Sequence, residues 1–320
     1  MRVIRNRPEW NDGAYVPGRS VVAIGNFDGV HLGHRALIEL GRKLAGADDE
    51  VAVVTFEPLP QTFFRPEHAP ARLSTVHQKL DLLRSAGVDL TWLMRFGSRF
   101  AALSAREFTE QVLIQKLNAS YVVVGEDFRF GRGQEGDVAM LTEFGRELGF
   151  EVKTVPSVLC GGERISSSGV RLKLAAGDFT SAAEWLGRPF RLEGHVIRGA
   201  GLGRKLGYPT ANLGIRAEPC PLGGVLAAFS RVRGGRWLPA VTNLGRRPVV
   251  GGKEPLLEVR FFDFDEDLYG QRLEVQFVAK LRDELDFESL DDLVEQMKRD
   301  ERKARQCLAQ AQPPRNEHVG

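Results

Sequence analysis

Residues 21–34 read Val21-Val22-Ala23-Ile24-Gly25-Asn26-Phe27-Asp28-Gly29-Val30-His31-Leu32-Gly33-His34, and Arg35 to Leu44 follow with leucines at Leu37, Leu40 and Leu44. A Val-rich apolar run, a glycine-rich turn and a helical stripe predict a strand over Val21–Phe27, a tight loop and then a helix. The same alternation continues. Val51–Phe56, Thr91–Phe96, Tyr121–Gly125 and Glu151–Val158 read as further short strands. Leu80, Leu83 and Ala86 make a second helical stripe, and Phe108, Val112 and Leu117 a third. Continuous apolar strands alternating with helices imply a parallel sheet covered on both faces. In such an α/β unit, ligands sit beyond the carboxyl ends of the strands.

The pattern changes after Leu186, where Gly187-Arg188-Pro189 breaks the last helix. Leu192–Arg198, Val225–Arg233, Trp237–Leu244, Leu256–Phe262 and Arg272–Leu281 then read as strands, with Gly234-Gly235 marking a hairpin. An antiparallel barrel or sandwich is expected, closed by a helix that Ser289 caps. The division expected is 1–186 and 187–320.

The chain has 320 residues, with 44 Lys and Arg against 42 Asp and Glu, a net charge of +2. That near-balance argues against a protein built mainly for nucleic acid, which needs a clear cationic excess. An apolar share of 42% is enough to fill two cores. No apolar run reaches the roughly 20 residues of a bilayer crossing. The start, Met1-Arg2-Val3-Ile4-Arg5-Asn6-Arg7-Pro8, lacks the apolar stretch of a secretory signal. Cys160, Cys220 and Cys307 lie far apart and form no CxxC, so a reducing cytoplasm is expected.

Two chemical constellations stand out. His31 and His34, three residues apart, lie on one face of the first helical turn. There the free N–H groups and the helix dipole attract anions. Two imidazoles so placed can donate to a phosphoryl group undergoing substitution. A cap plus a packed residue, or a metal pair, are the other readings. With only six histidines in the chain, a chance HxGH directly after a Gly-rich turn is improbable. The second constellation is Gly199-Ala200-Gly201-Leu202-Gly203-Arg204-Lys205-Leu206-Gly207-Tyr208-Pro209-Thr210-Ala211-Asn212. Its glycines make a donor-rich loop able to wrap phosphates, without the GxxxxGK[ST] order of a P-loop. A phosphoryl transfer to an alcohol also needs a carboxylate by the hydroxyl. Glu258 is the candidate, since it shares a strand face with Arg260 while Leu257, Val259 and Phe261 point the other way. On pattern alone that is also how a solvent-facing strand residue looks.

The first motif resembles the HxGH signature of the nucleotidylyltransferases. The longer match, Gly25 to Arg35, resembles the opening of bacterial bifunctional riboflavin kinase/FAD synthetases. So do Thr55-Phe56-Glu57-Pro58, Phe100-Ala101-Ala102-Leu103-Ser104, Val124-Gly125-Glu126-Asp127-Phe128-Arg129-Phe130-Gly131, Ile165-Ser166-Ser167-Ser168, Pro209-Thr210-Ala211-Asn212 and Asp267-Leu268-Tyr269-Gly270. The resemblance runs from about residue 20 to 308. It implies a Rossmann-like nucleotidylyltransferase domain followed by an antiparallel β-barrel riboflavin kinase domain with a terminal helix. The implied activity makes FMN from riboflavin and ATP, then FAD and pyrophosphate from FMN and ATP. The alternative is a monofunctional FMN adenylyltransferase whose barrel only binds flavin or regulates. A tRNA-handling HxGH protein is a third class, which the charge opposes.

By the resemblance, His31 and His34 contact the transferring phosphoryl group, and Gly25 and Asn26 line the nucleotide site. Ser166, Ser167, Ser168 and Arg171 match a second phosphate motif. Asp127 matches a ligand-contacting polar position, with Phe128 and Phe130 placed to stack on flavin or to fill core. Gly201, Gly203, Lys205 and Gly207 belong to the kinase phosphate loop. Thr210 and Asn212 hold Mg²⁺, whose preference for hard oxygen donors suits them, and Glu258 is the kinase base. Departures from the family pattern are Leu59, Leu226, Arg246 and Val249. Riboflavin, FMN and ATP are the expected partners, with no nucleic acid and no membrane; the oligomeric state is not legible.

Overall fold

The computed structural model describes residues 1–5, 15–199, 207–215, 219–245, 256–264 and 266–314. It divides into two compact units, Met1–Pro70 with Ser74–Ser167, and Ala71–Leu73 with Ser168–Gly320.

The first unit is built on six parallel strands: β1 (Arg2–Arg5), β2 (Ser20–Ile24), β3 (Glu50–Glu57), β4 (Leu90–Arg95), β5 (Ala119–Gly125) and β6 (Glu151–Val155). They lie in the order β1-β4-β3-β2-β5-β6, so the expected parallel sheet is present. Residues of β2 alternate between two apolar layers. Val22 and Ile24 pack with Trp92, Met94 and Val124. Val21 and Ala23 pack with Leu37, Ile38 and Leu83. This two-sided burial is why the strand reads as a continuous apolar run. It ends at Ile24, three residues before the expected Phe27, because Phe27 turns left-handed at φ 49°. Edge strand β1 was not foreseen; its four residues are bounded by arginines and pair with β4.

Helices α1 (Leu32–Leu44), α2 (Pro60–Phe64), α3 (Val76–Ser85), α4 (Ser98–Ala101), α5 (Ala105–Phe108) and α6 (Val138–Leu148) accompany the sheet. Each long one shows its start chemically. A reciprocal Thr75–Gln78 capping box opens α3, and Asp137 caps α6. After β2 the order reverses, with β3 on one side and β5 on the other. That switch point opens a crevice beyond the strand ends, where residues 25–34 lie. A small hairpin of β7 (Leu159–Cys160) and β8 (Glu163–Arg164) follows β6.

The second unit holds α7 (Ser167–Ala176) beyond its first residue, α8 (Phe179–Leu186) and a closed six-stranded antiparallel barrel. Its strands are β9 (Arg191–Ile197), β10 (Ala211–Gly214), β11 (Gly224–Val232), β12 (Leu238–Gly245), β13 (Leu256–Phe261) and β14 (Arg272–Arg282), ordered β10-β13-β12-β11-β14-β9. Pairing of β9 with both β10 and β14 closes the ring and leaves no free edge. The Gly234-Gly235 hairpin joins β11 to β12 as expected. Strand β10 is only four residues and was not foreseen. Helix α9 (Leu290–Gln310) starts where Ser289 accepts from the Asp292 amide at 3.1 Å. It buries Ala304 and Leu308 against Ala227, Phe229, Trp237 and Phe262. Arg282 on β14 clasps the buried Asp300 of α9 through both carboxylate oxygens.

Candidate active sites

The loop after β2 is held tightly. Gly25 donates its amide to Val54 O at 3.1 Å. Phe27 and Val30, both fully buried, sit at φ 49° and 41°, conformations that cost non-glycine residues about 1–3 kcal/mol each. Surrounding bonds over-determine them. Asp28, 1% exposed, accepts from Ser74 N and Oγ at 3.2 Å, and Gly29 N donates to the same hydroxyl at 3.1 Å. Asn26 O accepts from Thr55 Oγ1 at 2.9 Å and Lys79 Nζ at 3.0 Å. Sequence reasoning missed Ser74 and Lys79, and it singled out Thr55 only as part of a family motif, with no role in the loop. Lys79 lies among helical residues, where a lysine reads as the solvent face.

His31 caps α1 with its own ring: Nδ1 accepts from the His34 amide at 3.3 Å. In that geometry Nδ1 presents its lone pair, so the ring proton is carried on Nε2. The two imidazoles stack at 3.7 Å with 18° between planes, and Phe27 packs 4.9 Å from the His34 ring. Gly33 makes this stack possible. A Cβ there would stand 3.1 Å from both Cε1 and Nδ1 of His31. The first turn of α1 carries no acidic residue to oppose an anion.

Ser166 and Ser167 also reach this loop's neighbourhood. Ser167 Oγ donates to Asp28 O at 3.0 Å, and Ile165 O lies 3.7 Å from the position of a Gly33 Cβ. Thus two motifs 139 residues apart meet. Ser168 and Arg171 continue along α7, with Arg171 Nε donating to Ala71 O.

Asp127 is exposed and ion-paired with Arg164 at 2.6 Å. Beside it, the Ser157 hydroxyl and amide hold the Glu126 carboxyl below the usual carboxylate range. Phe128 stacks on Phe130 at 5.4 Å and 12°, half-buried against the core layer. The rings continue through Phe108 and Phe100 to Phe96. At the far end Phe64, 62% exposed, lies edge-on to Phe96 at 5.6 Å. Leu59 is buried at the start of α2.

In the barrel the kinase candidates meet through strand register. Asn212 on β10 lies opposite Glu258 on β13, and Glu258 lies opposite Asn243 on β12. Directly paired residues of antiparallel strands project to one face, so an amide, a carboxylate and a second amide form one row. Leu257 and Val259 are fully buried while Glu258 and Arg260 are partly exposed, as the alternation predicts. Asn243 was not singled out, because it lies in an ordinary strand run. Gly199 borders the row: a Cβ there would lie 2.2 Å from the Asn212 amide nitrogen. Gly207 accepts through its carbonyl from Arg260 Nη1 at 3.3 Å, and Arg260 lies 4.0 Å over the Tyr208 ring. Thr210 is half-buried one residue before β10. Leu226, 1% exposed, packs within β11. Gly201, Gly203, Lys205, Arg246 and Val249 lie outside the described residues.

Comparison with known proteins agrees over most of the chain. The FAD synthetase family model matches residues 15–169, and the riboflavin kinase model residues 186–308. A bifunctional riboflavin kinase/FMN adenylyltransferase of Escherichia coli (strain K12) is 43% identical over 297 residues, 92% of this chain and 94% of that one. One from Haemophilus influenzae is 40% identical over 280 residues, covering 87% and 91%. A crystal structure described as a macrolide-efflux protein from Streptococcus pneumoniae superposes with a TM-score of 0.80 at 32% identity, covering 95% of this chain and 99% of that one. Among the described residues no helix is long and apolar enough to cross a membrane. No three of their His, Cys, Asp and Glu side chains gather into a cluster that could hold a metal ion.

Proposed function

Since the chain belongs to the bifunctional riboflavin kinase/FMN adenylyltransferase family, we propose how its residues divide the two reactions. The protein phosphorylates riboflavin to FMN with ATP and adenylylates FMN with ATP to give FAD and pyrophosphate. The residues before about 187 serve adenylyl transfer and those after it serve the kinase.

In adenylyl transfer, an FMN phosphate oxygen attacks the α-phosphorus of ATP and the bond to pyrophosphate breaks. Charge builds on the α-phosphoryl oxygens. The observation that carries our assignment is the His31 Nδ1 cap, which fixes that ring and leaves Nε2–H to donate to those oxygens. His34, stacked on it, supplies the second donor. Gly25 and Asn26 line the nucleotide, and Ser166, Ser167, Ser168 and Arg171 hold its phosphates. Asp127 and Phe128 contact the flavin, and the exposed Phe64 offers a further ring face.

In the kinase, the riboflavin 5′-hydroxyl attacks the γ-phosphorus and ADP leaves. Glu258 accepts the hydroxyl proton. The glycine loop, with Gly201, Gly203, Lys205 and Gly207, cradles the phosphates. The hydroxyl of Thr210 and amide oxygen of Asn212 are hard donors that fit Mg²⁺, which would neutralise phosphate charge when bound. The enzyme works in the cytoplasm.

Incubation with riboflavin, ATP and Mg²⁺, followed by chromatography, tests the reading. FMN should form first and FAD after it. FAD formed from supplied FMN, with none of either product from riboflavin, would support the monofunctional alternative instead.

A further inference from the structure

Lys79 on α3 has no exposed surface. Its Nζ lies 3.0 Å from Asn26 O, 3.4 Å from Phe56 O and 3.5 Å from Thr55 Oγ1. Thr55 Oγ1 itself donates to Asn26 O at 2.9 Å. The Asn26 carbonyl therefore takes two hydrogen bonds, both from side chains underneath the loop that leads to His31. Packing does not call for a lysine here. Taking an ammonium out of water costs several kcal/mol, and an apolar side chain of like volume fills such a space as well or better. What an ammonium adds is three donors fanned from one point. It can gather carbonyl oxygens where the ends of β2 and β3 converge. Five residues earlier on the same segment, Ser74 holds Asp28 and Gly29. The segment 74–79 thus grips the loop on both sides of Phe27, whose left-handed backbone needs that restraint.

The geometry points to Lys79 as a positioning residue for adenylyl transfer: with Thr55, its buried ammonium fixes the Asn26 carbonyl and so the loop that carries His31 and His34. The inference rests on the adenylyltransferase reading above. A loop released by even an ångström moves donors away from the developing charge, and such displacements cost up to about 10²-fold in rate.

Lys79→Met in the full-length protein tests it, with the kinase activity of the same chain as the internal control. FMN-to-FAD kcat should fall about 10- to 100-fold. KM for ATP should change less than kcat does, because Ser166, Ser167, Ser168 and Arg171 still hold the phosphates while the loop's donors move off the developing charge. Riboflavin-to-FMN turnover should match the parent, and the melting temperature should stay within a few degrees. Thr55→Val, which keeps the shape and removes one bond to the same carbonyl, should lower kcat roughly 5-fold. The double variant should fall short of the product of the two losses, since both act through one oxygen. A Lys79→Met enzyme with parental kcat, or one altered only in KM, overturns the proposal. If Lys79→Met loses both activities through misfolding, Thr55→Val decides, and an unchanged kcat there overturns it too. A parent enzyme that fails to convert FMN to FAD would sink the adenylyltransferase reading itself, before any variant is compared.

Discussion

In the parallel-sheet unit, the two candidate donors lie three residues apart on one helical turn, and their loop is contiguous in sequence. In the barrel, Asn212, Glu258 and Asn243 come from three strands and are assembled only by register. The first arrangement is a local shape held in place from below, by Ser74, Thr55 and Lys79. The second is a row on a closed cylinder, where no single loop sets the geometry. Damage to the first should therefore come from changes that tilt a ring or free a loop. Damage to the second should come from changes in one member of the row. Because His31 and His34 lie in one unit and Glu258 in the other, loss of either group should stop one reaction and spare the other.

The largest expected loss comes from the contiguous site. Each preorganised donor removed from a developing oxyanion costs on the order of 10²–10³ in kcat. His31→Ala with His34→Ala should thus stop FAD formation, while FMN still accumulates from riboflavin. The assay supplies riboflavin and FMN in separate incubations. Normal FAD production by this double variant would end the assignment, and parallel loss of FMN formation would show that the two units are not independent.

Next comes the row. Glu258→Gln keeps the side-chain shape and removes the ability to take a proton. Loss of a general base typically costs about 10²–10⁴ in rate. Riboflavin-to-FMN turnover should drop by that much and FMN-to-FAD turnover should stay at the parental level. An unchanged kinase rate would return Glu258 to the status of a solvent-facing strand residue.

How far each site could be read from the chain follows from the same contrast. His31, Gly33 and His34 are neighbours, so spacing exposes them, as it exposes the Val-rich β2 and the helical stripe of α1. The parallel sheet and the barrel were also legible, since strand periodicity and turn residues are local signals. Short or polar strands were not: β1 is four residues ending in arginines, and β10 is only four residues long. The supports of the HxGH loop were hidden for a different reason. Lys79 and Ser74 look like surface residues until the fold buries them, and Asn243 gains meaning only opposite Glu258. Register and burial are long-range properties that no window of sequence carries.

Two single changes compare the sites at equal scale. Gly33→Ala places a methyl 3.1 Å from the His31 ring, which must tilt. FMN adenylylation should fall about tenfold, the cost of roughly 1.4 kcal/mol of lost alignment. Asn243→Ala removes one amide from the row and should lower riboflavin kinase kcat by up to about tenfold, in keeping with one hydrogen-bonding group. Steady-state rates of both reactions for both variants form a two-by-two test. If each variant harms only its own reaction, the units work separately. If Asn243→Ala leaves the kinase unchanged, register alone does not make it part of the site.

The smallest effect lies at the outer side of the barrel. Arg305 on α9 binds both oxygens of Asp263, at 3.0 and 3.1 Å, and that hydrogen bonding and charge hold the Asp263 carboxyl below the usual carboxylate range. A carboxyl whose value is lowered by folding stabilises the native state above its unfolded titration range. That contribution disappears as the pH falls through the lowered folded value. The pair is exposed, so solvent screening keeps it small. Asp263→Asn should lower the melting temperature by no more than about 2 °C at neutral pH, and the parent and variant curves should converge as the pH falls through the lowered Asp263 value. Both flavin reactions should be unaffected. A variant that instead loses kinase activity alone would tie this pair to the site. The route would run through Glu301, which Arg305 also binds, to Arg260, which pairs with Glu301 and shares its strand face with Glu258.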